Sequence, residues 1–466
     1  MPMKKTVMVS MLAAAISAAA VTPVLAQTTS QQAMTFEIAT FYVNANPVDI
    51  RTIMAGGQTL ASVRDLVDAM GAKLHITSSK AILVYANDHF LELQAGSSTI
   101  YVDGEEQMLA TPVTQVAYTN FIDPAAFAEA LGAKYEDNHI STIEMLDGVE
   151  QAVWVNGSQL LASNSVGEGR EDYLVDAMTG AYELLLASEG ASGLVLSPDG
   201  SKAAYSDADG IVYTIDLATK KQMKISDDAT IKNELTWAKD GSALFFLQGD
   251  KSSVIAKLSL ADGTVTKVLD DKVDYKMDLQ VSADGKQFTY YVVKQPKVTA
   301  DSSKEVELDD VAIDATGTEP QIYYYDGSFA NTKPVQLTKD ATDKAFLAFA
   351  ADGSQVSYIN MTADEESVGQ LLTVDNKGMK ASKPVFTKKD VYQLTQSGGM
   401  LYVLTAYGPT TNGIYEINPA TGASQFISFV SDSAMELVIS DESHVAAIVD
   451  GQLQVSVQGK WKNITN

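Results

Sequence analysis

The sequence predicts two domains of different class, a small α+β domain followed by an all-β propeller of about seven four-stranded blades. Three observations carry this. A block reading LASVRDLVDAMGAKL (Leu60 to Leu74) returns as FIDPAAFAEALGAKY (Phe121 to Tyr135), sharing Ala69/Ala130, Gly71/Gly132, Ala72/Ala133 and Lys73/Lys134. From about Val149 another repeat takes over: LVLSPDGSKAAYSD, LTWAKDGSALFFLQ, LQVSADGKQFTYYV and LAFAADGSQVSYIN centre on Gly200, Gly241, Gly285 and Gly353. At 466 residues, 46% hydrophobic and 20% charged, the chain is long enough for several cores and is not a disordered acidic tail.

In chain order, Lys4 and Lys5 precede an apolar run from Val7 to Val21, and Val24-Leu25-Ala26 supplies a small-residue cleavage site. This reads as a secretory signal peptide over 1–26, followed by a polar, structureless leader over 27–33. The apolar run is short of the roughly 20 residues a spanning helix needs. With no later stretch apolar enough to cross a bilayer, the expected location is secreted, or held non-covalently at the cell wall.

The α+β domain is expected over 34–148. Ser62 with Asp65 three residues on, and Asp123 followed by Pro124, are helix N-terminal signals. Gly71 and Gly132 stop the two helices, and Leu66, Met70, Phe127 and Leu131 form their apolar faces. Between them, Ala81 to Ala86, Phe90 to Gln94 and Thr99 to Val102, turned by Asp103-Gly104, read as hairpin strands. A leading apolar strand, the Gly56-to-Leu60 turn (GGQTL) and the helix ending spelled AMGAK at 69–73 and ALGAK at 130–134 together resemble the copper amine oxidase N-terminal-like (stalk) domain. The resemblance covers about a quarter of the chain and implies an accessory module of secreted and surface proteins in Gram-positive bacteria. It implies no oxidase: the Asn-Tyr cofactor motif and His-x-His copper pair of true amine oxidases are missing, so copper is not expected. The four histidines, His75, His89, His139 and His444, lack metal-ligand spacing and read as strand or loop residues.

The propeller is expected over 149–466. Asp-Gly takes the positive φ angles of a tight hairpin turn, and the flanks alternate apolar residues at period two. Further strands follow each hairpin, as in Ile211 to Ser226, Ser253 to Leu269 and Gly413 to Ser428, giving four strands per unit. Weaker copies at Asn156-Gly157, Gly398-Gly399 and Glu442-Ser443 complete a series spaced about 40–45 residues apart, a propeller period. The Ser-Pro-Asp-Gly-Ser-Lys turn at 197–202, followed by AAYSD, resembles TolB-like and WD-repeat-like propellers. Such propellers serve as binding platforms, protease gatekeepers and enzymes alike, so the resemblance implies fold rather than function.

One interval is too long by roughly half a unit, which assigns 295–320 to an acidic insertion. Asp301, Glu305, Glu307, Asp309 and Asp310 within it are the chain's calcium candidates, since calcium takes six to eight oxygens. Their spacing departs from the Asp-x-Asp-x-Asp-Gly loop, and a solvated acidic loop is the favoured reading. Asp207 and Asp209 pose the same choice. The repeated Asp199, Asp240, Asp284 and Asp352 are turn formers, and the paired tyrosines Tyr290-Tyr291 and Tyr323 to Tyr325 are half-buried strand residues.

Other chemistries are excluded by what the chain lacks. There is no cysteine, so no disulfide, thiolate site or cysteine nucleophile. A formal charge of −26 argues against nucleic acid and anionic lipid as partners. No Gly-x-Ser-x-Gly, His-Glu-x-x-His or phosphate-binding loop occurs, and His444 is the single histidine of the propeller. The expected function is therefore non-catalytic: a secreted or envelope-associated scaffold whose stalk positions a propeller that binds a protein, peptide or wall polymer. The alternative is an extracellular hydrolase or lyase using propeller-face carboxylates, with calcium. No resident cofactor beyond that calcium is expected, and the oligomeric state is left open.

Overall fold

The computed structural model describes residues 36–86, 88–300, 311–361, 368–378, 383–387 and 390–466. The expected signal peptide and the calcium candidates Asp301, Glu305, Glu307, Asp309 and Asp310 lie outside the described residues.

The first domain has two sheets and two short helices around one core. Helix α1 (Val63–Ala69) starts at Ser62, whose hydroxyl accepts from Asp65 N. Helix α2 (Pro124–Ala130) starts at Asp123, whose carboxylate accepts from Ala125 N. Gly71 and Gly132, at φ 65° and 74°, turn the chain out of each helix. A seven-stranded sheet and a five-stranded meander complete the domain. Phe41 and Ile50 from the first sheet, Val84 and Leu91 from the second, and Leu66 and Phe127 from the helices share a single buried cluster.

The second domain is seven four-stranded sheets, each built from strands consecutive in the chain apart from one intervening ribbon. The blades span 151–188, 195–224, 232–269, 276–336, 343–386, 391–431 and 434–463. In blade four, a two-stranded ribbon, Lys297–Ala300 with Val311–Asp314, falls between the second and third strands. From blade two onward the first strands of neighbouring blades touch in turn, and that of blade seven meets that of blade one. The first strands are therefore innermost and surround the channel.

Apolar side chains on both faces of each blade pair with the next, giving seven buried clusters, one per blade interface. Among the described residues no strand is exchanged between blades one and seven. Their seam is held instead by Trp154 Nε1 donating to Val438 O (3.2 Å), Val149 N to Gly451 O (2.7 Å), and a cluster of Leu146, Val149, Ile448, Leu453 and Ile464.

The repeated turns differ in detail from the expectation. Gly200, Gly241, Gly285 and Gly353 have φ between 67° and 69°, but the preceding aspartates are absent from the positive-φ residues. Gly200 N bonds Ser197 O, so the turn is a four-residue one closing on the glycine. The aspartate carboxylate accepts from the residue two further on, Ser201 N or Ser242 N, which holds it on the ordinary side of φ space.

A cleft at the channel mouth

Because every blade begins with its innermost strand, all seven first turns lie at one end of the channel. There a cavity of about 400 Å³ is lined by Trp154 of blade one, Ser197 and Asp199 of blade two, Lys239 of blade three, Ser397 of blade six and Asp441 of blade seven, among others. A second cavity of about 310 Å³ runs between blades two and three over Trp237, Met223 and Leu260. Ser197, Pro198, Asp199 and Lys239 line both, so they join as one cleft from the mouth to the inter-blade groove.

Three of the cleft's four acids are engaged by serine hydrogen bonds, and the fourth, Glu442, faces His444 Nδ1 at 3.8 Å. Asp199 accepts from Ser197 Oγ (2.6 Å) and Ser201 Oγ (2.9 Å), and these bonds, Ser197's foremost, pull it down to about 2. Asp240 is lowered by the Ser242 hydroxyl and N–H. Asp441 accepts from Ser397 Oγ at 2.9 Å, bridging blades six and seven. Lys202 and Lys239 face the cleft with no carboxylate in ion-pair range among the described residues. The floor is apolar, with the Trp237 N–H already given to Val195 O (2.9 Å).

His444 sits beside this mouth, 5.6 Å from the Trp154 ring, with Nδ1 3.2 Å from Ser440 Oγ. The pair resembles a nucleophile and base only superficially. Ser440 Oγ accepts from His444 N (2.9 Å) and Glu442 N (3.2 Å). Ser197 and Ser282 do the same for Lys202 N and Gln287 N in blades two and four. Ser440 is the turn serine of its repeat, with its lone pairs occupied.

The channel wall carries groups the sequence reading missed. Glu234 and Asp278 stand at bulges of the inner strands with φ 54°. Glu234 Oε2 accepts from Leu279 N (2.9 Å) and Asp278 Oδ2 from Leu347 N (3.0 Å), each reaching the next blade. Gln393 repeats this toward Leu437 N (2.7 Å), and Glu436 toward the Ala152 backbone. Enclosure by the ring raises Glu234 and Asp278, and lifts Glu436 to about 7. These carboxylates tie blades together. Each is already bonded to a backbone N–H, which leaves less capacity for substrate.

Also missed were three buried lysines, Lys232, Lys276 and Lys344, at the starts of three successive inner strands. Lys232 Nζ gathers Gly210 O (2.9 Å), Asp228 O (2.6 Å) and Thr230 O (2.8 Å), and burial lowers its pKa. Lys276 and Lys344 pair with Asp271 (2.7 Å) and Asp340 (2.8 Å). Asp-Ala-Thr-x-Lys is spelled at both 228–232 and 340–344, a signal that was available.

The remaining candidates stay apart. Asp207 accepts from Asp209 N and Ile211 N within its own loop. In the first domain, His89 pairs with Asp103 (2.8 Å) and His139 stacks on Tyr42. Among the described residues no group of three or more metal-ligating side chains converges. No helix among them is long and apolar enough to cross a membrane.

Fold and site define a two-domain protein, an α+β accessory domain carrying a seven-bladed propeller with a cleft at one mouth. Residues 42–145 match the copper amine oxidase N-terminal domain family. No curated protein matches the chain. Among solved structures, the tricorn protease is similar at 12% identity and TM-score 0.47, covering 90% of this chain, which spans 44% of that protein's length. TolB from Acinetobacter baumannii is similar at 14% identity and TM-score 0.38, covering 76% of this chain and 77% of its own. The propeller domain of the Trilobed protease from Pyrococcus furiosus, described as having an open velcro topology, is similar at 12% identity and TM-score 0.45, with coverages of 70% and 97%. At such identities the likeness is one of fold.

Proposed function

We propose that the protein is a secreted or cell-envelope-associated binding scaffold in which the first domain positions the propeller and the cleft takes an extended peptide segment of a partner protein. The observation that carries this reading is the continuous cleft over Trp237 and Met223, with Asp199, Asp240 and Asp441 committed to serine hydrogen bonds and Lys202 and Lys239 without an ion-pair partner among the described residues. Such a site offers apolar burial and donors for backbone carbonyls or a carboxylate, the combination that recognises peptides. The engagement of Glu234, Asp278 and Glu436 with neighbouring blades is why a binding role is preferred over carboxylate catalysis.

The test is selection of displayed peptides on the immobilised chain, followed by calorimetric titration. Peptides binding in the micromolar range, weakened tenfold or more by Trp237→Ala or Lys239→Ala, are expected. Failure to enrich any peptide, or binding indifferent to both substitutions, would sink the reading. Placement outside the cytoplasm is checked by fractionating cells that express the full chain.

A further inference from the structure

A cluster of aromatic rings breaks the surface of blade six, away from the cleft. Phe426 and Phe429 lie 4.6 Å apart between ring centroids, and Tyr407 lies 4.6 Å from Phe429 and 6.4 Å from Phe426. They are 40%, 44% and 48% exposed. The rings are held from behind, because Phe426 meets Tyr415 (5.4 Å), which meets the buried Phe386 of blade five (5.2 Å). Gly413 makes the room: a Cβ there would stand 3.2 Å from the Tyr415 ring and 3.5 Å from the Tyr407 ring. The exposed rings are thus pre-positioned, which lowers the entropy lost on binding.

Area and charge choose the occupant. At these exposures the three side chains offer roughly 200–330 Å² of apolar surface, taking about 150–250 Å² for a whole aromatic side chain. A stable protein interface needs about 800 Å² per partner, so neither a second copy nor a protein face is matched by this patch. Pairing of an added strand is also opposed. The outer strand Ser424–Ser431 is bulged at Ile427, and Trp461 Nε1 of blade seven already holds Phe429 O. That strand, SQFISFVS, carries no charge. The other outer strands longer than two residues each contain Lys or Glu.

We infer that this cluster is a binding site for a neutral saccharide chain, independent of the peptide reading of the cleft. Aromatic rings stack on the C–H faces of pyranoses, and a patch of this area matches a few sugar units. A ligand without charge avoids the repulsion that a chain of net charge −26 imposes on anionic polymers.

Calorimetric titration of the full chain with cellohexaose and with chitohexaose tests this, polygalacturonate and a neutral octapeptide being the comparisons. Binding of at least one neutral hexasaccharide is expected, falling tenfold or more in Phe426→Ala/Phe429→Ala and also in Tyr407→Ala, while Trp237→Ala keeps it. The Tyr407 variant leaves the outer strand untouched and guards against a folding failure of the double variant. No binding of either hexasaccharide, equal binding of polygalacturonate or of the octapeptide, or binding indifferent to the ring substitutions would overturn the inference. Loss in Trp237→Ala alone would place the sugar in the cleft and overturn it too.

Discussion

At the scale of single residues, Glu436 and Lys232 make opposite demands on the fold. Glu436 is raised from its ordinary 4.5 to about 7 by burial, so between those values the folded chain binds more protons than the unfolded one. Stability therefore falls as pH rises across that window and levels off above it. Glu436→Gln, which keeps an acceptor for the Ala152 backbone, is expected to stabilise the chain by about 1–2 kcal/mol at pH 8, after allowing for water in the channel, and by little at pH 5. Urea midpoints at the two pH values check the sign; a variant no more stable at pH 8 than at pH 5 refutes it. Lys232→Met instead strands the carbonyls of Gly210, Asp228 and Thr230, while the Asp228 carboxylate keeps the Thr230 N–H and hydroxyl. A loss of about 1–3 kcal/mol is expected, the penalty for leaving a buried acceptor unpaired. An unchanged midpoint would mean that water replaces the ammonium. Glu436 left no signal in the sequence, and Lys232 only the repeated Asp-Ala-Thr-x-Lys. Lysine and glutamate are mostly exposed, and their burial here follows from ring closure, which brings together loops distant in the sequence.

At the scale of elements, the repeated turn is where sequence and structure agree most closely. The Asp-Gly pairs located the turn of every strong repeat, because glycine alone takes φ near 68° without strain. The same spelling hides different surroundings. A Cβ on Gly200 would lie 2.5 Å from Val155 O of the neighbouring blade, whereas one on Gly241 meets nothing within 4 Å. Gly241→Ala is thus expected to lose about 1 kcal/mol, the strain of positive φ alone, and Gly200→Ala clearly more. Equal losses in thermal unfolding would show that the blade one to blade two contact yields. Helix signals were equally legible, as Ser62, Asp123, Gly71 and Gly132 all act as capping residues. The inner-strand bulges that present Glu234 and Asp278 were not, because a bulge is set by the two-against-one pairing with the second strand and leaves no local motif. The cleft was illegible for the same reason. Trp237 and Lys239 belong to one repeat and Asp199 to the one before it, and they meet only when the two blades pack.

At the scale of the whole molecule, ring closure and domain docking converge on the last strand. With no exchanged strand among the described residues to lock blades seven and one, the seam depends on short-range groups at the end of the chain. Ile464 is fully buried in the seam cluster, Thr465 Oγ1 accepts from Leu453 N (2.7 Å), and Asn466 N donates to Leu146 O (3.0 Å). The first domain grips the same place. Its Asn44-Ala45 turn, at φ 48° and 60°, presents Asn46, which donates to Asn463 O (2.8 Å) and accepts from Asn463 N (2.7 Å). Asn463 Nδ2 returns a bond to Ala45 O (2.9 Å). The first domain therefore clasps the last strand beside the seam. Removing Ile464 to Asn466 exposes the cluster and frees three bonded groups, a loss of at least about 4 kcal/mol from the apolar side chain and its hydrogen bonds. Asn46→Ala spares the cluster and removes two of these three bonds between the domains, together with the Asn46 bond to Asn44 O in the turn. It is expected to leave the propeller's own transition nearly in place while splitting a single calorimetric unfolding peak into two. If the truncated chain unfolds as the intact one does, the seam is held by blades one and seven alone. If Asn46→Ala lowers the propeller transition as far as the truncation does, docking of the first domain is what closes the ring.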